Sequence, residues 1–176
     1  MKILLTAALL SLTGFYATSI YTKQLTTLGG TNISLNQYQG KKMLLVNIAS
    51  GSEYAAKQLP QLQQLYQQYK DSLVVIAFPS NDFGKEPKNN NDLKLLLQNT
   101  YKVKFPVSVL TTVKYGLATT HPLYKWLQNQ GENGSTNKKL TGDFQKYLID
   151  KDGTILGVFS ASTTPMSSAV ISAITQ

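Results

Sequence analysis

Residues 43–78 read MLLVNIASGSEYAAKQLPQLQQLYQQYKDSLVVIAF, and the order of apolar runs inside them decides the fold. MLLVNI, residues 43–48, is continuously apolar except for Asn47. Such a run suits a strand covered on both faces. Leu59, Leu62, Leu65, Tyr66 and Tyr69 then recur at helical spacing, which predicts a helix with Pro60 in its first turn. LVVIAF, residues 73–78, is a second buried strand. Strand, helix and strand in this order make a right-handed parallel unit.

The remaining segments extend that unit. Residues 25–28 and 31–35, joined by Gly29-Gly30, suggest a short leading hairpin. Residues 92–101 suggest a helix, 107–110 a short strand after Phe105-Pro106, and 122–127 another helix. Residues 145–150 and 154–159 flank Lys151-Asp152-Gly153, a hairpin signal. A closing helix is expected over 166–174. Asn89-Asn90-Asn91 and residues 131–139 read as loops. Parallel strands, an antiparallel hairpin and a terminal helix give an α/β class of thioredoxin-like order, a mixed central β-sheet flanked by helices on both faces. A cis Phe105–Pro106 peptide is the matching expectation in that fold class.

The ends and the composition add constraints. Met1-Lys2 starts positive, residues 3–16 are largely apolar, and Ala17-Thr18-Ser19 supplies small residues. This predicts a signal peptide over 1–19, cut after Ser19, and one domain over 20–176 exported to a periplasmic or secreted location. The apolar run is short for a span, so no stable membrane anchor is expected; the other reading is an uncleaved N-terminal anchor. There is no cysteine, hence no disulfide. The net charge is +8, all 17 basic residues are lysine, and they are scattered. Nucleic-acid readers favour bidentate arginine, so no nucleic-acid partner is expected. The charge reads as a solvated surface with some affinity for anionic partners.

Six segments, in order, resemble the glutathione peroxidase family. VNIASGS (46–52) resembles its V-N-x-A-S-x-Cys motif, and FPSNDFG (78–84) its F-P-x-N-Q-F-G motif. Phe105-Pro106, HPLYKWL (121–127), FQKYLIDKDG (144–153) and Thr163-Thr164-Pro165 resemble further family segments. The stretch 52–66 is one residue longer than the family pattern. The resemblance implies reduction of hydroperoxides by a cysteine or selenocysteine flanked by Gln, Trp and Asn. Here those positions match Ser52, Asp82, Gly142 and Asp143, so all four depart from the pattern. A serine hydroxyl stays un-ionised near neutral pH and has no sulfenic state, and no resolving cysteine exists.

The expectation is therefore a peroxidase-inactive homolog that binds an unknown small molecule or protein, with no cofactor. The alternatives are the family's thiol peroxidase activity in oxidative stress, and a new activity built on Asp82 and Asp143. Ser52 alone reads as a helix cap, and as a hydrolase nucleophile it would need a base. The only histidine, His121, reads as a helix-start residue. Ser80 reads as a loop residue and Trp126 as core. Gly142, in place of an indole, either leaves a hollow near Ser52 or lets neighbours refill it, the more ordinary outcome. Asp82 and Asp143 are expected to converge on Ser52, with Glu53 following it. A lysine, Lys85 or Lys146, would then pair with them, or one would hold a proton. The remaining option is a hard cation on Asp82, Asp143 and Ser52.

Overall fold

The computed structural model describes residues 17–176; residues 1–16 of the expected leader lie outside the described residues. The elements run β1 (Gln24–Thr26), β2 (Asn32–Ser34), β3 (Lys42–Ile48), α1 (Ala55–Gln68), β4 (Leu73–Pro79), α2 (Asn90–Asn99), α3 (Pro122–Leu127), α4 (Gln130–Asn133), β5 (Lys146–Ile149), β6 (Ile155–Phe159) and α5 (Ser168–Thr175). β1 and β2 form a separate antiparallel hairpin. The central sheet has the order β4-β3-β5-β6. β3 runs parallel to β4 and antiparallel to β5, and β5 pairs antiparallel with β6.

Alternation along β3 builds two cores. Leu44, Val46 and Ile48 pack with Leu59, Leu62 and Leu65 of α1, Leu93 and Leu97 of α2, and Val170 and Ile174 of α5. Met43 and Leu45 face the other way, onto Leu25, Leu35 and the α3 residues Leu123, Trp126 and Leu127. The period of two along the strand sends successive side chains to opposite layers. The three α1 leucines are fully buried, each contributing about 1.5–3 kcal/mol over an exposed side chain.

The ends of α5 and α3 show how local chemistry fixes the elements. Ser167 accepts from the Val170 amide at the start of α5. At its end, the buried Lys42 ammonium donates to the Ala173 and Ile174 carbonyls at 3.0 and 3.1 Å, a cation on the negative end of a helix. His121 caps α3, its Nδ1 accepting from the Leu123 amide at 3.2 Å, with Pro122 opening the helix. Burial pulls the His121 imidazole below its usual range, which keeps that acceptor nitrogen free.

Several expectations need correction. α1 starts at Ala55, so Pro60 lies inside the helix and not in its first turn. Tyr54 is the capping residue and makes no side-chain cap bond. Ser52 acts two residues earlier, where its Oγ accepts a long bond from the Tyr54 amide and its carbonyl accepts from the Ala55 amide. Residues 107–110 form no ladder: Val107 bridges Ala77 and Ser108 bridges Thr27. Asn89 is no loop residue but the N-cap of α2, accepting from the Asn91 and Asp92 amides. The 131–139 segment begins within α4. The Phe105–Pro106 peptide is trans, as is every described peptide bond. The unusual backbone before a sheet strand lies instead at Phe144, with φ 58°.

Candidate functional site in the cleft beside Gly142

The site lies past the carboxyl ends of the parallel strands β3 and β4, where open α/β sheets commonly place ligands. Three loops meet there: residues 49–54 after β3, 80–87 after β4 and 140–145 before β5. Gly51 lets the first two touch. Its amide donates to the Lys85 carbonyl at 2.9 Å, and a Cβ at Gly51 would stand 2.7 Å from that oxygen, so no larger residue fits without moving backbone. Glu86, 3% exposed, locks the same junction. Its carboxylate accepts from the Ser50 amide and the Ser50 hydroxyl, both at 2.6 Å, and from the Lys88 amide at 3.2 Å.

The third loop is held from β3. The buried Asn47 side chain donates to the Gly142 carbonyl at 3.0 Å, and the Asn47 carbonyl accepts from the Phe144 amide at 2.7 Å. Between these two anchors Phe144 is fully buried in the left-handed region. That conformation costs a bulky residue about 1–3 kcal/mol, and such strain concentrates at functional sites. Behind the cleft the buried Lys146 donates to the Thr163 carbonyl at 2.6 Å, with longer bonds to the carbonyls of Ser160 and Ala161. Gln58 of α1 donates to that Ala161 carbonyl at 2.7 Å.

The loops enclose an open cleft of about 410 Å³ lined by Glu53, Tyr54, Phe83, Lys85, Thr141, Gly142, Asp143, Gln145 and Ala161. A Cβ built on Gly142 meets nothing within 4 Å, so the space there is open, against the more ordinary expectation that neighbours refill it. Asp143 is 4% exposed, and its Oδ1 has no hydrogen-bond partner. Burial raises its carboxyl above the usual range; Lys85 opposes the rise, while Glu86 and Glu53 add to it.

The expected site residues therefore separate. Gly142 and Asp143 form the cleft wall, and Glu53 and Tyr54 present the start of α1 to it. Ser52 is buried and does not line the cleft. Asp82 is spent elsewhere: its Oδ2 accepts from the Val113 and Lys114 amides at 2.6 and 2.7 Å. The cation set of Asp82, Asp143 and Ser52 is accordingly not gathered on one wall. Among the described residues no group of three or more His, Cys, Asp or Glu is placed to hold a metal ion. The expected lysine pairing is also corrected. Lys85 bonds Glu53 at 3.1 Å at the mouth of the cleft, and Lys146 bonds carbonyls. Ser80 is a buried loop residue whose Oγ accepts from the Asp82 amide. Trp126 is core, its indole N–H donating to the Thr18 carbonyl at 2.6 Å. Glu86 and Gln58 had no role in the sequence reading, and Asn47 and Phe144 entered it only as members of the segments 46–52 and 144–153.

The parallel β3–β4 pair, the antiparallel β5–β6 hairpin and helices on both faces define a thioredoxin-like protein. A solved structure of a thiol:disulfide interchange protein from Chlorobium tepidum TLS shares the fold, with a TM-score of 0.64 at 16% identity over 90% of this chain and 97% of that one. Residues 20–128 match the family described as Glutathione peroxidase, and the chain belongs to that family. It is 35% identical over 150 residues to the probable glutathione peroxidase 2 of Arabidopsis thaliana, covering 84% of this chain and 87% of the relative. It is 32% identical over 149 residues to the glutathione peroxidase homolog BsaA of Bacillus subtilis (strain 168), covering 84% and 91%. The crystal structure of Trgpx in apo form superposes with a TM-score of 0.66 at 32% identity, over 92% of this chain and 98% of that chain.

Proposed function

We propose that this chain is a glutathione peroxidase family member without peroxidase chemistry, and that it binds a small ligand in the cleft beside Gly142. The observation that carries the reading is Ser52 at the thiol position of a chain with no cysteine. Hydroperoxide reduction moves two electrons into the O–O bond. Sulfur supplies them by passing from thiolate to sulfenic acid, and a reductant returns it. The serine oxygen has no equivalent recyclable state. The open wall at Gly142 supports a binding role, because the space is accessible and bounded by both charged and aromatic side chains.

The relatives' names favour the second reading, a thiol peroxidase. One assay separates the two. Purified protein is expected to consume neither hydrogen peroxide nor an organic hydroperoxide, with glutathione or with thioredoxin, above a heat-killed control. Turnover that disappears in Ser52→Ala would overturn the inactive reading.

The export proposal rests on the charged, apolar, small-residue start. It makes a second prediction through Trp126. A chain cut after Ser19 loses the Thr18 carbonyl that accepts the indole N–H, and the buried donor is left without that partner. Protein starting at Ile20 is expected to be about 1–2 kcal/mol less stable to urea than protein starting at Ala17. Equal stability would show that the Thr18 contact contributes nothing. Full-length chain retaining residues 1–19 in the cytosol would sink the export proposal.

A further inference from the structure

Unpaired acceptors gather around this one cleft. Asp143 Oδ1, Asn47 Oδ1 and Gln58 Oε1 are all buried without a partner. Asn47 and Gln58 use their amide N–H groups to hold the Gly142 and Ala161 carbonyls, two residues of the cleft lining. Buried polar atoms without partners are uncommon, and each calls for a cause. Asp143 is the one that itself lines the cleft.

The charge around it is negative, against the grain of a chain of net charge +8. The charged side chains of the lining are Glu53, Asp143 and Lys85, two carboxylates against one ammonium. Lys85 is hydrogen-bonded to Glu53 and leaves Asp143 Oδ1 without a donor. Tyr54 and Phe83 add aromatic rings to the lining, whose faces attract cations. At about 410 Å³ the space suits a small organic molecule.

We propose that the cleft binds a small organic ammonium compound whose N–H donates to the Asp143 carboxylate, with Tyr54 and Phe83 beside the cation. This rests on the ligand-binding reading above and names the class of ligand. An ammonium group provides both what Asp143 lacks, a donor, and what the surrounding carboxylates favour, a positive charge. A simple anion would meet the Asp143 and Glu53 carboxylates, with Lys85 already bonded to Glu53, and a neutral polyol would provide a donor without the charge.

The test is isothermal titration of the full chain with ethanolamine and 1,4-diaminobutane, and with tetramethylammonium, glycerol and acetate for comparison. Wild-type protein is expected to bind both amines, and tetramethylammonium at least tenfold more weakly because it has no N–H. Asp143→Asn, which keeps the side-chain shape, is expected to weaken amine binding at least tenfold. Gly142→Trp, built where nothing lies within 4 Å of the Cβ, is expected to abolish it while the melting temperature holds. Amine binding of equal strength in Asp143→Asn would overturn the proposal. Binding of glycerol or acetate alone, lost in Gly142→Trp, would overturn the ammonium class and leave a ligand cleft standing. No heat from any probe would overturn both.

Discussion

Glu86→Ala is expected to destabilise the domain by about 3–5 kcal/mol, because it strips a buried junction of the carboxylate that satisfies it. The Glu86 side chain accepts from the Ser50 amide, the Ser50 hydroxyl and the Lys88 amide, and the residue is 3% exposed. No other acceptor serves the Ser50 amide or hydroxyl, so both donors lose their partners. Hydrogen bonds to a charged group are each worth about 1.5–3 kcal/mol. Two are strong by their 2.6 Å length, and part of the sum returns through relaxation and water. Glu86→Gln keeps one acceptor oxygen and is expected to lose less than half as much. Urea unfolding of the two variants measures both. A loss below about 1 kcal/mol in Glu86→Ala would show that water replaces the carboxylate freely.

The second large effect is a pH dependence carried by Lys146. Burial pulls this ammonium from 10.5 down to about 7, although three carbonyl acceptors favour the charged form. The sign follows from proton counting. Between about pH 7 and the unfolded value near 10.5 the unfolded chain holds a proton that the folded chain has released. Stability therefore rises with pH across that window and is lost as pH falls back toward 7, with a slope approaching about 1.4 kcal/mol per unit. Tyr124 and Tyr147 are both raised by burial, and they act in the opposite direction only near pH 10 and above. Lys146→Met is expected to lose the rise between pH 7.5 and 9.5, as read by urea midpoints on the two proteins. A parallel pair of profiles would assign the slope to another group. A titration of the Lys146 amine by NMR in wild-type protein decides the point even where the variant folds poorly.

The sheet was legible because its strands are runs of residues that only a two-sided interior accommodates. The helix start was less so. Ala55, Ala56, Lys57 and Gln58 are good helix formers without an apolar stripe, and Pro60, which suits a first turn, lies inside the helix. Residues 107–110 have strand-like composition, yet only single bridges form. At the site, Gly142 and Asp143 were found because their neighbours in sequence place them. Asp82 and Glu86 could not be placed, because their partners lie 31 to 36 residues away and backbone amides leave no mark in a sequence. Lys146 did carry a signal: a charged residue inside the hairpin strand that pairs on both sides.

The open Cβ position at Gly142 has a consequence for how such a protein can change. Gly51, Glu86 and Phe144 are each bound into the fold by contacts that tolerate little. A Cβ at Gly142 would meet nothing within 4 Å, and Asp143 Oδ1 has no hydrogen-bond partner. Substitutions at these two positions can therefore explore new ligands at little cost in folding, whereas most active sites trade stability for specificity. This wall is a surface on which selection can act almost independently of the scaffold.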